Sequence, residues 1–205
     1  MAYLTESDYC YCVIGRPGSG KSNLVKNIIH KTAKDYNNII VICPSGGYDY
    51  LPSNYVYKFY NVELLKKLKK LHETNKDVKT LLILDDIYGL VNFNNNPLFN
   101  SLLANFRHLH INIIIVAQYF KQISRPMRSM IRRVFIFKNQ DFETCRDIAR
   151  EFAGGSKIYM KYIIDTIPTL KEHTCLCIYP DGDESSLFSI IKAPNMTKKI
   201  FKVEK

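Results

Sequence analysis

The chain has 205 residues, 46% of them hydrophobic and 23% charged, a globular composition that excludes the disordered, collagenous and coiled-coil classes. Its longest apolar runs, such as residues 113–117, are far shorter than the roughly 18 residues of a membrane-spanning helix, so no span is predicted. The 29 basic residues outnumber the 19 acidic ones, and this net charge of +10 favours an anionic partner.

Apolar blocks and turn residues alternate in the first part of the chain at the spacing of βαβ units. The predicted elements are a strand at 9–14, a glycine-rich loop at 15–20, a helix from Ser22 to Asn37 and Asn38, a strand at 39–43, a short strand or ordered loop at 55–60, a helix over 64–71 and a strand at 81–84. The lysines on the outer side of the helix over 64–71 are interpreted as a solvated face.

The second part of the chain continues the alternation and ends in a hairpin. The predicted elements are a loop at 92–96, a helix at 97–108, strands at 111–117 and 134–137, a helix at 141–153 that Gly154 and Gly155 end, and hairpin strands at 175–179 and 187–191 around Asp181 and Gly182. Continuous apolar strands are typical of sheets buried on both faces. We therefore predict an α/β fold with three layers, a mostly parallel central sheet and a C-terminal β-hairpin. One domain over 1–205 is expected, with a core at 9–140 and C-terminal helices and the hairpin at 141–205.

Residues 15–22 read GRPGSGKS and fit the phosphate-binding pattern G-x-x-x-x-G-K-[ST] between a predicted strand and a predicted helix. Glycines let several backbone N–H groups point at phosphate oxygens, and the helix N-terminus adds partial positive charge. Lys21 is expected to contact the β- and γ-phosphates, and the Ser22 hydroxyl to bind Mg²⁺. The expected nucleotide-binding residues are Gly15, Arg16, Pro17, Gly18, Ser19, Gly20, Lys21, Ser22 and Asn23.

Two aspartates follow the strand at 81–84, where a P-loop protein needs a carboxylate for its metal ion. Asp85 is the candidate metal ligand because an acid at the end of a buried apolar strand needs a partner. Asp86 is the candidate for polarising the attacking water, although many ATP-hydrolysing motors have glutamate there. The alternative interpretation of Asp86 is a solvated residue at the end of a strand.

Gln118 and Arg107 flank the predicted strand at 111–117. Gln118, at its end, is a candidate sensor of the γ-phosphate or of the attacking water, and the alternative is an ordinary strand-end amide. An arginine that contacts a neighbouring subunit's γ-phosphate raises the hydrolysis rate by ~10³ to 10⁵. Arg107 is our hypothesis for this trans-acting arginine, and we expect alanine there to abolish turnover while ATP binding survives. Arg128 and Arg132 are its competitors.

The segment 121–133 contains five basic residues and no acidic one. This segment is a possible source of the trans-acting arginine. The alternative interpretations are a patch that contacts DNA phosphates and a solvated face. The five residues are Lys121, Arg125, Arg128, Arg132 and Arg133.

Three further patterns are interpreted as structural. The cysteine pairs at 10 and 12 and at 175 and 177 fit core packing better than zinc, which prefers C-x₂₋₄-C loops. His108 and His110 have no third metal ligand nearby in the sequence. Residues 138–141, KNQD, resemble the N-K-x-D of GTPases with two letters exchanged, and we interpret them as a strand-to-helix connection.

Five segments in this order resemble the poxvirus-type DNA-packaging ATPases of the FtsK–HerA superfamily, which also occur in other large DNA viruses, virophages and archaeal icosahedral viruses. They are GRPGSGKS at 15–22, IIVICP at 39–44, LLILDD at 81–86, FRHLHINIIIVAQ at 106–118 and RPMRSMIRRVFIF at 125–137. The resemblance covers roughly residues 9–140. It implies a RecA/FtsK-like P-loop NTPase in which the strand before Gln118 lies between the P-loop strand and the Asp85 strand.

The resemblance also implies a function. The family's members are ring-forming motors that drive double-stranded DNA into a preformed capsid, with ATP and Mg²⁺ as cofactors. A homo-oligomeric ring (pentamer or hexamer) and capsid or portal-vertex partners are therefore expected. The alternatives are a small P-loop kinase, and a nucleotide-gated DNA-binding or assembly protein with little turnover. The Asp85, Asp86 and Gln118 set disfavours the kinase.

The expected location is the host cell cytoplasm or the site of virus assembly, with association with the virion as a further alternative. Glu6 and Asp8 precede Arg16, the first basic residue, which is not the pattern of an export signal. Six scattered cysteines without such a signal are typical of a reducing compartment, so the protein is not expected to be secreted.

Overall fold

A computed structural model describes residues 9–87, 96–180, 182 and 186–195 of the chain. In these residues the strands are β1 (Cys10–Ile14), β2 (Asn38–Ile42), β3 (Val56–Tyr57), β4 (Thr80–Asp85), β5 (Ile111–Ala117), β6 (Arg133–Phe137), β7 (Thr174–Ile178) and β8 (Phe188–Lys192). The α-helices are α1 (Lys21–Thr32), α2 (Val62–Thr74), α3 (Pro97–Asn105), α4 (Arg125–Arg128), α5 (Phe142–Phe152) and α6 (Lys157–Thr169).

The strands form one sheet in the order β3-β2-β4-β5-β1-β6-β7-β8. Parallel pairing joins β1 to β6 and joins β2 to both β3 and β4. The antiparallel pairs β6–β7 and β7–β8 form the C-terminal end of the sheet, with Cys175 opposite Ile191 in the hairpin. The α/β class, the mostly parallel sheet and the hairpin are confirmed. Strand β5 lies between β4 and β1, as the resemblance implies.

The chain divides into two compact units, and the first contains residues 9–10 and Val25–Ile115. Strand β4 is buried at every position, and four of its six residues, at 81–84, are aliphatic. Three polar residues of this unit form a hydrogen-bonded network. The Tyr36 hydroxyl donates to the Tyr9 hydroxyl at 2.8 Å, and Asn112 Nδ2 donates to the Tyr36 oxygen at 2.7 Å. Asn112 Oδ1 in turn accepts from the Tyr9 N–H at 2.9 Å.

The second unit contains Tyr11–Leu24 and Val116–Asn195. Strands β1 and β6 are buried throughout, and the rings of Tyr11 and Phe135 meet edge to face at 5.8 Å. Helix α5 begins at the Asp141 cap, whose Oδ2 accepts from the Thr144 N–H at 2.9 Å.

Several element bounds differ from the prediction. Helix α3 ends at Asn105 and not near 108, because the chain turns through His110 (φ +50°) and the Ile111 N–H donates to the Phe106 oxygen. Helix α1 ends at Thr32, and the Asn37 and Asn38 N–H groups bond to the Lys79 oxygen instead of ending a helix. The sequence pattern gave no bounds for helix α6, which runs over Lys157–Thr169. Residues 92–95 of the predicted loop and residue 181 of the predicted turn lie outside the described residues.

All six cysteines are free and buried. Burial raises the pKa of the Cys10 thiol to about 12, so this thiol stays neutral and packs as an apolar group. In the part of the chain that the structure describes, no helix has both the length and the apolar character needed to cross a lipid bilayer.

Candidate functional site

The glycine-rich loop at 15–22 leaves the end of β1 and runs into α1. Gly18 and Gly20 have φ values of +76° and +109°, which residues with a β-carbon rarely adopt. The Gly15 N–H donates to the Ala117 oxygen at 3.2 Å, which ties the start of the loop to β5. The Leu24 N–H donates to the Gly20 oxygen at 3.0 Å and begins the helical hydrogen bonds. The motif thus has the strand–loop–helix context that a phosphate-binding loop requires.

Lys21 reaches back across this loop. Its Nζ donates to the Gly15 oxygen at 2.6 Å and to the Arg16 oxygen at 3.0 Å. The ammonium group is therefore held over the backbone curve, where it can neutralise phosphate oxygens that the loop N–H groups bind.

The loop packs closely against the end of β6. A β-carbon on Gly15 would lie 2.6 Å from Ser19 Oγ and 2.7 Å from Phe137 Cβ, so no larger residue fits there. A β-carbon on Gly20 would lie 3.2 Å from Phe137 Cε1 and 3.3 Å from His173 Nδ1. Phe137 therefore supports the loop from β6, and glycine is needed at 15 because the loop approaches Phe137 and Ser19 so closely.

In the first unit, Asp85 is the last residue of β4 and is 8% exposed. The buried hydroxyl of Tyr48, from the segment after β2, donates to Asp85 Oδ2 at 2.8 Å. Burial and then the Asp85 carboxylate raise the pKa of Tyr48 well above its ordinary value, so the phenol remains a donor. Asp86 has a φ of +53° and turns the chain at the strand end.

A second aromatic layer supports Tyr48. The Tyr50 ring lies 5.8 Å from the Tyr48 ring, and Lys26 Nζ of α1 lies 4.4 Å from the Tyr50 ring centre. Lys26 is only 7% exposed. This packing fixes the orientation of the phenol that contacts Asp85. Sequence reasoning missed Tyr48, since the YDY at 48–50 matches no motif.

Gln118 and Arg107 lie at opposite ends of β5. Gln118 follows Ala117, the residue that bonds to Gly15, and its N–H donates to Gln122 Oε1 at 3.2 Å. Gln118 is therefore next to the first residue of the P-loop. Arg107 is exposed in the turn before β5, with its guanidinium 5.5 Å from the Phe106 ring centre.

Two basic residues of the segment at 121–133 form ion pairs with helix α5 of the same unit. Lys121 Nζ lies 3.2 Å from Asp147 Oδ2, and Arg128 Nη1 lies 3.4 Å from Glu151 Oε2. The Arg128 guanidinium also lies 4.8 Å from the Phe120 ring centre. Helix α5 thus supplies the acids that the segment itself lacks.

The other three basic residues of this segment differ in exposure. Arg133, the first residue of β6, is 8% exposed and stacks 4.3 Å from the Tyr179 ring centre, so packing determines its position. Arg132 is half-buried, and Arg125 is exposed at the start of α4. Arg125 is therefore the member of the segment best placed to contact an outside partner.

A cleft of about 420 Å³ borders the P-loop within the second unit, and we call it the P-loop cleft. One wall is formed by residues 16–19, and the other by Phe137, Lys138, Gln140 and residues 171–174. His173 Nδ1 lies 3.4 Å from the Ser19 oxygen. Sequence reasoning missed 171–174, because these residues approach the loop only through the fold.

The residues present fit a magnesium–nucleotide complex. Curled backbone N–H groups and an ammonium are the donors that phosphate oxygens need. The Ser22 hydroxyl and the Asp85 carboxylate are oxygen ligands of the kind that Mg²⁺ prefers. When bound, this ion would neutralise charge on the β- and γ-phosphates.

Comparison with known proteins identifies relatives among viral proteins. The family model of the poxvirus A32 protein matches residues 1–153. Uncharacterized protein 015R of Frog virus 3 (isolate Goorha) is 25% identical over 188 residues, covering 85% of this chain and 56% of that protein. Uncharacterized protein 088R of Invertebrate iridescent virus 3 is 25% identical over 182 residues, covering 82% of this chain and 67% of that protein. The chain thus spans little more than half the length of the frog virus relative.

Solved structures share the fold. The DNA-packaging ATPase B204 of Sulfolobus Turreted Icosahedral Virus superposes with a TM-score of 0.67 at 20% identity, covering 92% of this chain and 98% of that one. The genome packaging NTPase B204 of Sulfolobus turreted icosahedral virus 2, in complex with ATP-gammaS, gives 0.70 at 20% identity, covering 90% and 97%. The resemblance inferred from the sequence is confirmed: the family match runs over 153 of the 205 residues, and the chain belongs to the poxvirus A32 protein family.

Proposed function

We propose that this chain is a Mg²⁺-dependent ATPase that drives viral double-stranded DNA into a capsid. The observation that carries the proposal is the P-loop, with Lys21 Nζ bonded across the loop to the Gly15 and Arg16 oxygens. Membership of the poxvirus A32 family supports the viral role, as do the genome-packaging names of the B204 proteins with the same fold. The activity belongs to the host cell cytoplasm or the site of virus assembly.

Two residues at the start of α1 would bind the nucleotide and its metal ion. Lys21 exchanges its contacts with the loop oxygens for contacts with the β- and γ-phosphates, and the Ser22 hydroxyl ligates Mg²⁺. The backbone of 15–20 and of Asn23 contributes N–H donors and the positive end of the helix. Binding is therefore expected to depend on the triphosphate more than on the base.

Three residues at strand ends would carry the hydrolysis step. Asp85 ligates Mg²⁺, directly or through water, from the end of β4. Asp86, whose φ of +53° turns the chain at the end of β4, accepts a proton from the attacking water. Gln118, beside the first P-loop residue, orients that water or senses the γ-phosphate.

Arg107 would act on the nucleotide of a neighbouring subunit. Arg107 is exposed in the turn before β5, where its guanidinium is accessible to a neighbouring subunit. This role requires a homo-oligomer, which we propose to be a ring of five or six subunits. Arg128, held by Glu151 and Phe120, is a weaker competitor than Arg132.

DNA would be gripped through its backbone phosphates. A net charge of +10 and the exposed Arg125 support phosphate contacts, which carry little sequence information and weaken with salt. Capsid or portal-vertex proteins would complete the packaging machine.

A second candidate is a nucleotide-gated DNA-binding or assembly protein with little turnover. The observation that favours it is aspartate, not glutamate, at 86, because the shorter side chain reaches less far toward the attacking water.

The test combines nucleotide binding with phosphate release for the full chain and two variants. Lys21→Ala removes a charge-assisted contact, so we expect ATP affinity to fall roughly 10- to 150-fold. Arg107→Ala should bind ATP normally but lose turnover by ~10³ or more. Fluorescence titration with a labelled ATP and a phosphate-release assay give the two readouts.

Matched controls are Lys157→Ala on α6 and Arg150→Ala on α5, both exposed. Normal ATP binding by Lys21→Ala would contradict the proposed nucleotide site. Near-normal hydrolysis by Arg107→Ala would remove Arg107 from the trans-acting role and leave Arg132 or Arg128 as the candidate.

A further inference from the structure

We propose that the outer side of helix α2 contacts DNA, with Lys67 and Lys70 as the side chains that bind backbone phosphates. The inference rests on the proposed function, which requires duplex DNA and names only Arg125, in the second unit, as a contact. Helix α2 lies wholly in the first unit. The duplex would be held there through its backbone charge, without reading of the base sequence.

Helix α2 is fixed on its inner side. Leu65, Leu68 and His72 are buried, and His72 Nε2 lies 2.8 Å from Thr80 Oγ1 of β4. The Oδ1 atom of the Asn61 cap accepts from two N–H groups of the first turn, at 2.9 and 3.2 Å. Because the inner side is held in this way, the outer side keeps its orientation and needs little ordering when it meets a ligand.

The helix carries four lysines within five residues, and two of them have partners. Lys66 Nζ lies 2.7 Å from Glu63 Oε1, and Lys69 Nζ lies 3.8 Å from Glu73 Oε1. Lys69 also donates to Ser101 Oγ of α3 at 3.0 Å. The two acidic residues of α2 are thus already engaged by these two lysines.

Lys67 and Lys70 are the other two lysines, and both are exposed. Among the residues that the structure describes, no acidic group lies within ion-pair distance of either one. Lys70 follows Lys67 by three positions and Lys66 by four, spacings at which like charges repel on a helix. A local arrangement that costs stability in this way is typical of a functional surface.

The basic segment at 121–133 differs from α2 in this respect. Its Lys121 and Arg128 lie 3.2 Å from Asp147 Oδ2 and 3.4 Å from Glu151 Oε2, so acids of α5 offset much of its charge. The two outer lysines of α2 instead keep their charge available to an anionic partner.

The spacing of the lysines suits one strand of a duplex. Lys66, Lys67 and Lys70 span about 6 Å of the helix axis. Successive phosphates of one DNA strand advance about 3.4 Å along the duplex axis. Two or three phosphates can therefore face the helix at once, and the flexible lysine stems let each ammonium group reach its phosphate.

An anionic lipid surface is the other partner that exposed lysines can bind. Helices that lie on such a surface carry a large apolar face beside their charges. On α2 the exposed large apolar residues are Val62 and Leu71, which are more than two turns apart. They do not form one apolar face, so the outer side of α2 favours DNA over lipid.

The experiment measures how salt weakens binding of the full chain to a fluorescein-labelled DNA duplex. Each phosphate contact contributes about 0.9 to the slope of log affinity against log salt concentration. The slope of the Lys67→Ala, Lys70→Ala double variant should therefore be smaller by about 1.8. Between about 200 and about 50 mM salt, the wild type should gain about tenfold more affinity than this variant. Its affinity for labelled ATP should not change.

Two further variants make the test specific. Lys67→Arg with Lys70→Arg keeps both charges and should keep the wild-type slope. Lys161→Ala with Lys192→Ala removes two exposed lysines of the second unit and is the control for the loss of net charge. It should also keep most of the wild-type slope.

Equal slopes for the wild type and the Lys67→Ala, Lys70→Ala variant would overturn the inference, as would an equal loss in the control variant. An unchanged duplex slope with lost binding to vesicles that contain phosphatidylserine would overturn it in favour of a lipid surface. Failure of the wild type to bind the duplex at any salt concentration would instead overturn the DNA partner of the proposed function.

Discussion

At the scale of single residues, the carboxylate proposed to hold the metal ion is positioned by a tyrosine. The Tyr48 hydroxyl bonds to Asp85 Oδ2 at 2.8 Å in a buried setting, and Tyr50 packs behind it. Such a bond fixes the orientation of a ligand oxygen, as partners of metal ligands commonly do. Tyr48 therefore acts through Asp85 and not on the nucleotide.

Replacing Tyr48 with phenylalanine is expected to weaken the Mg²⁺ dependence of nucleotide binding. Without the hydrogen bond, Asp85 samples other rotamers, and the half-saturating Mg²⁺ concentration for ATP binding should rise roughly 3- to 10-fold. A Mg²⁺ titration of fluorescent ATP binding measures this shift. Affinity for ATP without metal should not change, which separates the positioning role from general destabilisation.

Tyr57→Phe, in β3 of the same unit, is the control for this measurement. Identical Mg²⁺ dependence in both variants and the wild type would show that Tyr48 is only a packing residue.

Local patterns predict some of the site residues and not others. The P-loop and Asp85 were predicted because each can be recognised from consecutive residues next to an apolar strand. Tyr48 lies 37 positions from its partner Asp85, and His173 lies 154 positions from Ser19. Only the fold brings these pairs together, so no spacing rule could find them.

At the scale of elements, runs of consecutive apolar residues predicted the central strands well. Strand β5 has the predicted bounds because seven consecutive buried residues stand between turns. The bounds of α6 were not predicted, since only Ile163 and Ile167 of its apolar residues are buried and Ile158 is 78% exposed. Its apolar residues therefore do not mark one face, which is the signal that sequence reasoning needs.

The contact of α2 with β4 is expected to make stability depend on pH. His72 of α2 is 1% exposed, and its Nε2 lies 2.8 Å from Thr80 Oγ1 in β4. Burial, followed by the charges of His110 and Lys76, lowers the pKa of His72. The unfolded chain therefore binds a proton more readily than the folded one, so stability is full above the unfolded pKa and is lost as the pH falls below it.

Chemical denaturation between pH 8 and pH 5 measures this effect. The free energy of unfolding should fall below pH ~6.5 with an added slope of at most about 1.4 kcal/mol per pH unit. His72→Gln keeps a hydrogen-bonding side chain without a titrating ring and should flatten this part of the profile. Equal slopes for the two proteins would contradict the assignment.

At the scale of the whole molecule, the strand order and the charge both suit a DNA motor. The position of β5 between β4 and β1 was implied by the family resemblance and is confirmed. Which basic residues are available to contact DNA was less predictable. Lys121 and Arg128 form ion pairs with acidic residues of α5 that are distant in sequence. The frog virus relative extends well beyond the aligned region, so DNA engagement by this chain remains part of the proposal.

The central claim is tested most directly by the ATPase rate of the full chain with and without duplex DNA, at protein concentrations that span assembly. A ring motor with a trans-acting arginine predicts DNA-stimulated hydrolysis whose rate per subunit rises with protein concentration and falls with salt. Lys21→Ala should abolish it. A rate per subunit that is unaffected by DNA and by concentration, or ATP binding without hydrolysis under every condition, would contradict the account.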